Sequence, residues 1–166
     1  ELTGAFAPFA NGGNGIIPHV IRQIRTVDGN VLYDRRGTGS GQVVYPEQLG
    51  MMNYMLRQTL ESGTAQRATI EGWQAGGKTG TGDHRYFVYA KNGAVVESRV
   101  VSRAATFVFM LDNRYFGTVT AYVPGPEAAR FHFTSALPVR VTGLLMPTLD
   151  RLSSPAPAPA AASASP

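Results

Sequence analysis

The feature that most constrains the fold of this chain is the sequence Gly-Gly-Lys-Thr-Gly-Thr at residues 76–81. Each glycine costs roughly 1 kcal/mol in a helix relative to alanine, so Gly80 and Gly82 argue against a helix that begins at Lys78. Aromatic and β-branched residues follow at 86–89, which is typical of strands. We therefore expect one strand over residues 75–81 and a second over residues 86–90.

The same segment also satisfies a nucleotide-binding pattern, Gly-x-x-x-x-Gly-Lys-Thr, at residues 72–79. Residues 106–112 add an apolar run that ends in Asp112, the kind of strand that supplies a magnesium-binding aspartate in nucleotide hydrolases. A phosphate loop, however, needs a buried strand before its first glycine and a helix after its lysine. Residues 66–71 are a poor buried strand and no helix-forming stretch follows Lys78, so a P-loop protein is the less favoured alternative.

On a strand, Lys-Thr-Gly-Thr has the chemistry to bind a peptide that ends in a carboxylate. Lys78 supplies positive charge, and Thr79 and Thr81 project hydroxyl groups from one face because alternate residues of a strand share a face. Gly80 leaves room for the backbone of a ligand to pair with the strand. The N–H of Thr81 is then placed to form half of an oxyanion hole, a contribution of typically about 2.7–4 kcal/mol.

Periodicity and turn residues predict the other elements and a mixed α/β fold of the α+β type, with an antiparallel sheet flanked by helices. The expected helices cover residues 1–10, 46–63 and 128–151, the expected strands cover 16–27, 31–33, 104–111 and 115–123, a polar loop covers 35–41, and turns lie at 28–30, 91–93 and 112–114. We expect one domain over residues 1–152 and a disordered tail over residues 153–166, which contain only Ser, Pro and Ala.

The amino-acid composition argues against several classes of function. The net charge of +4 is dispersed along the chain, whereas nucleic-acid binding usually needs a clustered basic face. The chain has no cysteine, which excludes thiolate metal sites, and its three histidines lack the helical spacing of a metal pair, so we expect no zinc site. A mild basic bias suits a protein that works near an anionic membrane or polymer. No apolar run reaches the length of a membrane span.

Three segments appear in an order that is characteristic of one family: Phe-Ala-Asn-Gly-Gly at residues 9–13, Ser-Gly-Thr-Ala at 62–65, and Gly-Lys-Thr-Gly-Thr at 77–81. Over roughly residues 1–150 the chain resembles the back half of a penicillin-binding transpeptidase domain. The order and spacing look like those of class A, the bifunctional penicillin-binding proteins that join a glycan-polymerising domain to a transpeptidase domain. The implied fold is part of a serine β-lactamase/transpeptidase-like fold.

The resemblance implies a serine acyltransferase that cross-links peptidoglycan stem peptides ending in D-Ala-D-Ala through an acyl-enzyme. The same resemblance implies that β-lactams acylate this enzyme. By matching position, Lys78 and Thr79 would bind the substrate carboxylate, while Thr81 would add its hydroxyl and its oxyanion-hole N–H. The candidate catalytic residues are thus Lys78 and Thr81, and Gly80 belongs with these three residues to the substrate-binding set. No metal or organic cofactor would take part. The enzyme would lie at the periplasmic face of the inner membrane, held there by an N-terminal anchor that this chain lacks.

The family also needs a nucleophile in Ser-x-x-Lys and a second motif Ser-x-Asn, and neither occurs in the 166 residues. Both normally precede the segment with which this chain begins, so we expect a C-terminal part that pairs with an upstream half of the same domain and is inactive alone. Alternatives are a carboxypeptidase or β-lactamase of the same fold, or a non-catalytic remnant that binds cell wall.

Residues 82–87 depart from the strand that usually follows the motif in the family, and residues 91–103 look like an insertion. His84 lies within the first of these segments. It is a candidate for a catalytic acid or base, or else a solvated loop residue.

Overall fold

The structure, a computed structural model, describes residues 1–37, 39–69, 72–112 and 115–153. Within these ranges, three α-helices and seven strands follow one another in chain order. They are α1 Leu2–Ala10, β1 Asn14–Ile16, β2 Gln23–Arg25, β3 Val31–Asp34, β4 Gly39–Gln42, α2 Pro46–Glu61, β5 Ala75–Tyr89, β6 Val95–Leu111, β7 Tyr115–Pro124 and α3 Ala136–Ser153. Short 3-10 helices occupy Gln66–Ala68 and Pro126–Arg130. The predicted mixed α/β fold with antiparallel sheets and helices is confirmed.

The central element is a three-stranded antiparallel sheet in the order β5-β6-β7. The pairing of β5 with β6 runs from Ala75 opposite Leu111 to Tyr89 opposite Val95. β7 pairs with β6 only from Leu111 back to Ser102, so the outer part of the β5–β6 hairpin is two-stranded. β5 therefore forms one edge of this sheet.

Helices cover both faces of the sheet. On one face Met110 packs with Ala10 of α1 and Leu56 of α2, and the phenylalanines of α1 lie against them. On the other face Phe107 and Leu111 join a larger cluster that includes α3 and the Gln66–Ala68 turn, through Leu60, Ala65, Ala68, Val139 and Met146. α2 contributes to both clusters, which fixes β5 between them.

Two small ribbons account for two predictions that were wrong. The expected single strand over residues 16–27 is two strands, β1 and β2. The segment between them contains Pro18, which has no backbone N–H to donate to a neighbouring strand. The expected loop over residues 35–41 contains β4, which pairs with β1. The predicted hairpin turn at residues 28–30 is confirmed, because β2 pairs with β3 across it.

The long hairpin also differs from expectation. β5 is continuous from Ala75 to Tyr89, where we expected two strands, and the insertion-like residues 91–103 are a tight turn followed by the first half of β6. Pairing with β6 along the whole length keeps the glycines of β5 extended. The expected turn at residues 112–114 lies mainly outside the described residues.

The predicted helix over residues 128–151 was wrong in its first third. A 3-10 helix ends at Arg130, an extended segment follows, and α3 begins at Ala136. Pro138 is accommodated because the first turn of a helix does not need its N–H. Residues 154–166 of the predicted disordered tail lie outside the described residues. Among the described helices, none is both long enough and apolar enough to cross a bilayer.

Candidate active site

Lys78 lies in the interior of β5, which rules out the nucleotide-binding alternative. A phosphate loop would turn into a helix at this lysine, whereas β5 continues as a strand for eleven further residues to Tyr89. Asp112, the expected magnesium partner in that alternative, accepts a hydrogen bond from the backbone N–H of Gln74 at 3.0 Å. The Lys-Thr-Gly-Thr sequence is therefore presented on a strand, as predicted.

The hydroxyls of Thr79 and Thr81 lie on one face of β5, and each has a partner from another segment. The Oγ1 atoms of Thr79 and Thr64 are 2.7 Å apart, so one hydroxyl donates to the other. Thr81 Oγ1 accepts a hydrogen bond from the backbone N–H of Ser135 at 2.7 Å. Two loops, one after α2 and one before α3, thus converge on the two threonines.

Lys78 alternates with the threonines and its side chain lies at the opposite face of the strand. It lines a shallow, mainly apolar pocket of about 140 Å³ together with Leu2 and Phe6 of α1 and Thr106 and Val108 of β6. Its ammonium group donates to the carbonyl oxygen of Thr79 at 2.6 Å. The lysine therefore reaches the edge of β5 by folding back over its own strand.

Gly80 has open space where a side chain would be, since no heavy atom lies within 4 Å of a Cβ built there. This agrees with the expectation that a ligand backbone can approach the strand at this residue. Gly77, by contrast, is packed: a Cβ there would collide with the Val108 carbonyl oxygen and lie 2.7 Å from the Phe107 ring. One glycine of the motif is thus required by packing and the other leaves the strand accessible.

Beyond Thr81 the structure places a charged network that sequence reasoning did not identify. Asp83 and Arg103 are direct cross-strand partners, and Arg103 Nη1 lies 2.7 Å from Asp83 Oδ1. The same guanidinium donates from Nε and Nη2 to the Phe133 carbonyl oxygen at 3.0 and 2.7 Å. The sequence indicates this network only through Arg103 itself, a charged residue directly before the apolar stretch 104–111.

His84 is exposed and follows the alternation of β5 onto the face of Lys78, away from the hydroxyls of Thr79 and Thr81. Its cross-strand partner is Ser102. Within the described ranges, no group of three His, Cys, Asp or Glu side chains has the arrangement to hold a metal ion.

The arrangement has hydroxyl donors and a cation along one exposed strand edge, which suits recognition of a carboxylate on an extended peptide. Hydrogen bonds to a charged group are worth about 1.5–3 kcal/mol each. The sequence contains no Ser-x-x-Lys motif.

The chain is similar in sequence and fold to several known proteins. The curated protein PbpB of Mycolicibacterium smegmatis, a penicillin-binding protein, is 30% identical over 88 residues, which are 49% of this chain and 13% of that protein. The D,D-transpeptidase domain of a peptidoglycan glycosyltransferase from Eggerthella lenta superposes with a TM-score of 0.63 at 18% identity, over 92% of this chain and 32% of that one.

Penicillin-binding protein 3 from Mycobacterium tuberculosis, solved in complex with aztreonam, superposes with a TM-score of 0.60 at 19% identity, over 94% of this chain and 36% of that one. The chain thus spans about a third of the solved structures that it matches. The family model for the penicillin-binding protein transpeptidase domain matches residues 1–131, well over half of the chain. The chain belongs to the penicillin-binding protein transpeptidase family.

Proposed function

We propose that this chain is the substrate-binding C-terminal part of a D-Ala-D-Ala transpeptidase that cross-links peptidoglycan. The observation that carries the proposal is the position of Lys78, Thr79 and Thr81 on the exposed edge strand β5, with both threonine hydroxyls on one face. An extended peptide can pair with such an edge through its backbone while its terminal carboxylate meets the hydroxyls.

In the proposed reaction a serine from an upstream half of the domain attacks the carbonyl carbon of the penultimate D-alanine. The N–H of Thr81 stabilises the oxyanion, and the terminal D-alanine leaves as an amine that has taken up the serine proton. The amine of a second stem peptide then attacks the acyl-serine ester and releases the serine. Lys78 and the hydroxyls of Thr79 and Thr81 would hold the donor carboxylate before acylation, and Gly80 would leave room for the backbone of the donor peptide. β-Lactams would acylate the same serine.

The family implies an enzyme that works outside the cytoplasm. The finer assignments are part of the proposal: class A organisation with a glycosyltransferase domain, a membrane anchor upstream, and a position at the periplasmic face of the inner membrane. The Eggerthella lenta relative, described as a peptidoglycan glycosyltransferase, is consistent with the first of these.

The proposal predicts that Lys78→Ala in the intact protein lowers the rate of acylation by a fluorescent penicillin roughly 10- to 100-fold, because one hydrogen bond to a charged group is lost. Labelling is followed by fluorescence after gel electrophoresis. Lys91→Ala is the matched control, since Lys91 is the only other lysine and lies in the turn at the far end of the hairpin.

A folded Lys78→Ala variant that labels at the parent rate would contradict the assignment of this strand to the substrate. A variant that loses its cooperative thermal unfolding transition would instead show that the lysine is needed for the fold.

A further inference from the structure

Arg103 connects three separate parts of the chain next to the proposed substrate strand. Its side chain is 16% exposed and pairs with Asp83 of β5 at 2.7 Å. It also donates two hydrogen bonds to the carbonyl oxygen of Phe133, and its guanidinium lies 5.4 Å from the centre of the Phe133 ring. The arginine therefore fixes the extended segment 131–135 against the sheet.

The fixed segment delivers one backbone N–H to the site. Ser135 donates this N–H to Thr81 Oγ1 at 2.7 Å, two residues beyond the carbonyl that Arg103 holds. A threonine hydroxyl has a single proton and can accept through its lone pairs. Since a backbone N–H cannot accept, the Thr81 proton must point away from Ser135 and is available to donate to another group.

We infer that Arg103 is a positioning residue for carboxylate recognition: it holds segment 131–135 so that the Ser135 N–H orients the Thr81 hydroxyl as a donor toward the substrate carboxylate. This inference rests on the proposed function. Arg103 acts through orientation and not through its own charge, because the Asp83 carboxylate at 2.7 Å neutralises it. Because the Thr81 hydroxyl is already oriented, binding of the carboxylate does not include the free-energy cost of orienting it.

The alternative is that Arg103 only stabilises the start of α3. The two roles differ in what they do to substrates with and without a carboxylate. If the Thr81 hydroxyl loses its orientation, acylation slows only for ligands that carry the carboxylate. If the fold as a whole becomes less stable, acylation slows for every ligand.

The test measures, in the intact protein, the second-order rate constants for acylation by benzylpenicillin and by its methyl ester, which lacks the carboxylate. For Arg103→Gln we expect a fall of about 10-fold with benzylpenicillin, of the size of one hydrogen bond to a charged group, and less than about 2-fold with the ester. In a Thr81→Val background the same substitution should have no further effect on benzylpenicillin, because the hydroxyl that it positions is gone.

Arg103→Lys is a second variant that keeps the positive charge beside Asp83 but has a single ammonium group, which cannot reproduce the paired contact of the guanidinium with the Phe133 carbonyl oxygen. It should reproduce the selective loss with benzylpenicillin, and Thr81→Ser should retain the parent ratio of acid to ester. If Arg103→Gln does not fold, Arg103→Lys alone decides the inference.

Equal losses with acid and ester, or additive effects of Arg103→Gln and Thr81→Val, would overturn the inference and leave the proposed function intact. A parent protein that benzylpenicillin does not acylate would contradict the proposed function and the inference together.

Discussion

Within the motif, individual residues serve different purposes, and Gly77 and Gly80 show this most clearly. Gly77 lies under the Phe107 ring in the larger core cluster, and Phe107 itself is fully buried. Gly80 faces open space three residues later. The Lys-Thr-Gly-Thr pattern predicted the accessible glycine correctly, because its role follows from the chemistry of the ligand. It did not predict the packed glycine, because that role depends on a ring contributed by β6.

We expect Gly77→Ala to lower the free energy of unfolding by about 1–3 kcal/mol, the usual cost of inserting a methyl group into a packed core. Gly82→Ala is the matched control in the same strand, since nothing lies within 4 Å of a Cβ built there. Urea titration of both variants measures the difference. An equal effect of the two substitutions would show that the close contact of Gly77 with Phe107 is not formed.

Among the elements, the β5–β6 hairpin decides where the site lies. The sequence predicted the strand at residues 75–81 and the turn at 91–93, but it placed a break between them at the glycine and charged residues 82–85. The structure keeps this stretch extended through pairs with β6, including the Asp83–Arg103 pair. Local propensity could not show this, because strand stability depends on cross-strand partners.

The outer hairpin is expected to contribute little to stability. Among the described residues, no third strand pairs with it beyond Ser102. Tyr86, Phe87 and Tyr89 are 50%, 43% and 60% exposed. Replacing residues 88–97 by Asn-Gly joins the direct partners Phe87 and Ser98 through a two-residue turn.

We predict a change in unfolding free energy of less than about 1 kcal/mol for this shortened hairpin in calorimetry, as for other exposed sites. Ala105→Asp on the inner part of β6, where the side chain is fully buried, should by contrast prevent folding. A large loss of stability on shortening would show that the outer hairpin packs against another part of the protein.

At the level of the whole molecule, the chain carries the strand to which we assign carboxylate binding, and its sequence has no Ser-x-x-Lys motif. The family was predictable from three short segments because their order is specific, and the match over residues 1–131 confirms it. The contacts of Thr64, Arg103 and Ser135 with the strand were not predictable, because each joins residues between 15 and 54 positions apart in sequence. Such contacts depend on how α2 and α3 pack on the sheet.

We predict that the isolated 166-residue chain forms no covalent adduct with a fluorescent penicillin, because its sequence lacks Ser-x-x-Lys. A protein in which a Ser-x-x-Lys helix precedes Glu1 in the same reading frame should be labelled. Mass spectrometry of both proteins after incubation with the penicillin measures this. An adduct on the isolated chain would contradict the assignment of the nucleophile to an upstream segment.

The central claim is that the hydroxyls of Thr79 and Thr81 on β5 bind the carboxylate of the acyl donor. Its most direct test is the second-order rate constant for acylation of the intact protein by benzylpenicillin, compared with the isosteric double variant Thr79→Val/Thr81→Val. Two lost hydrogen bonds to a charged group predict a fall of about 100-fold or more, with the thermal unfolding transition retained. A folded double variant that reacts at the parent rate would contradict the claim.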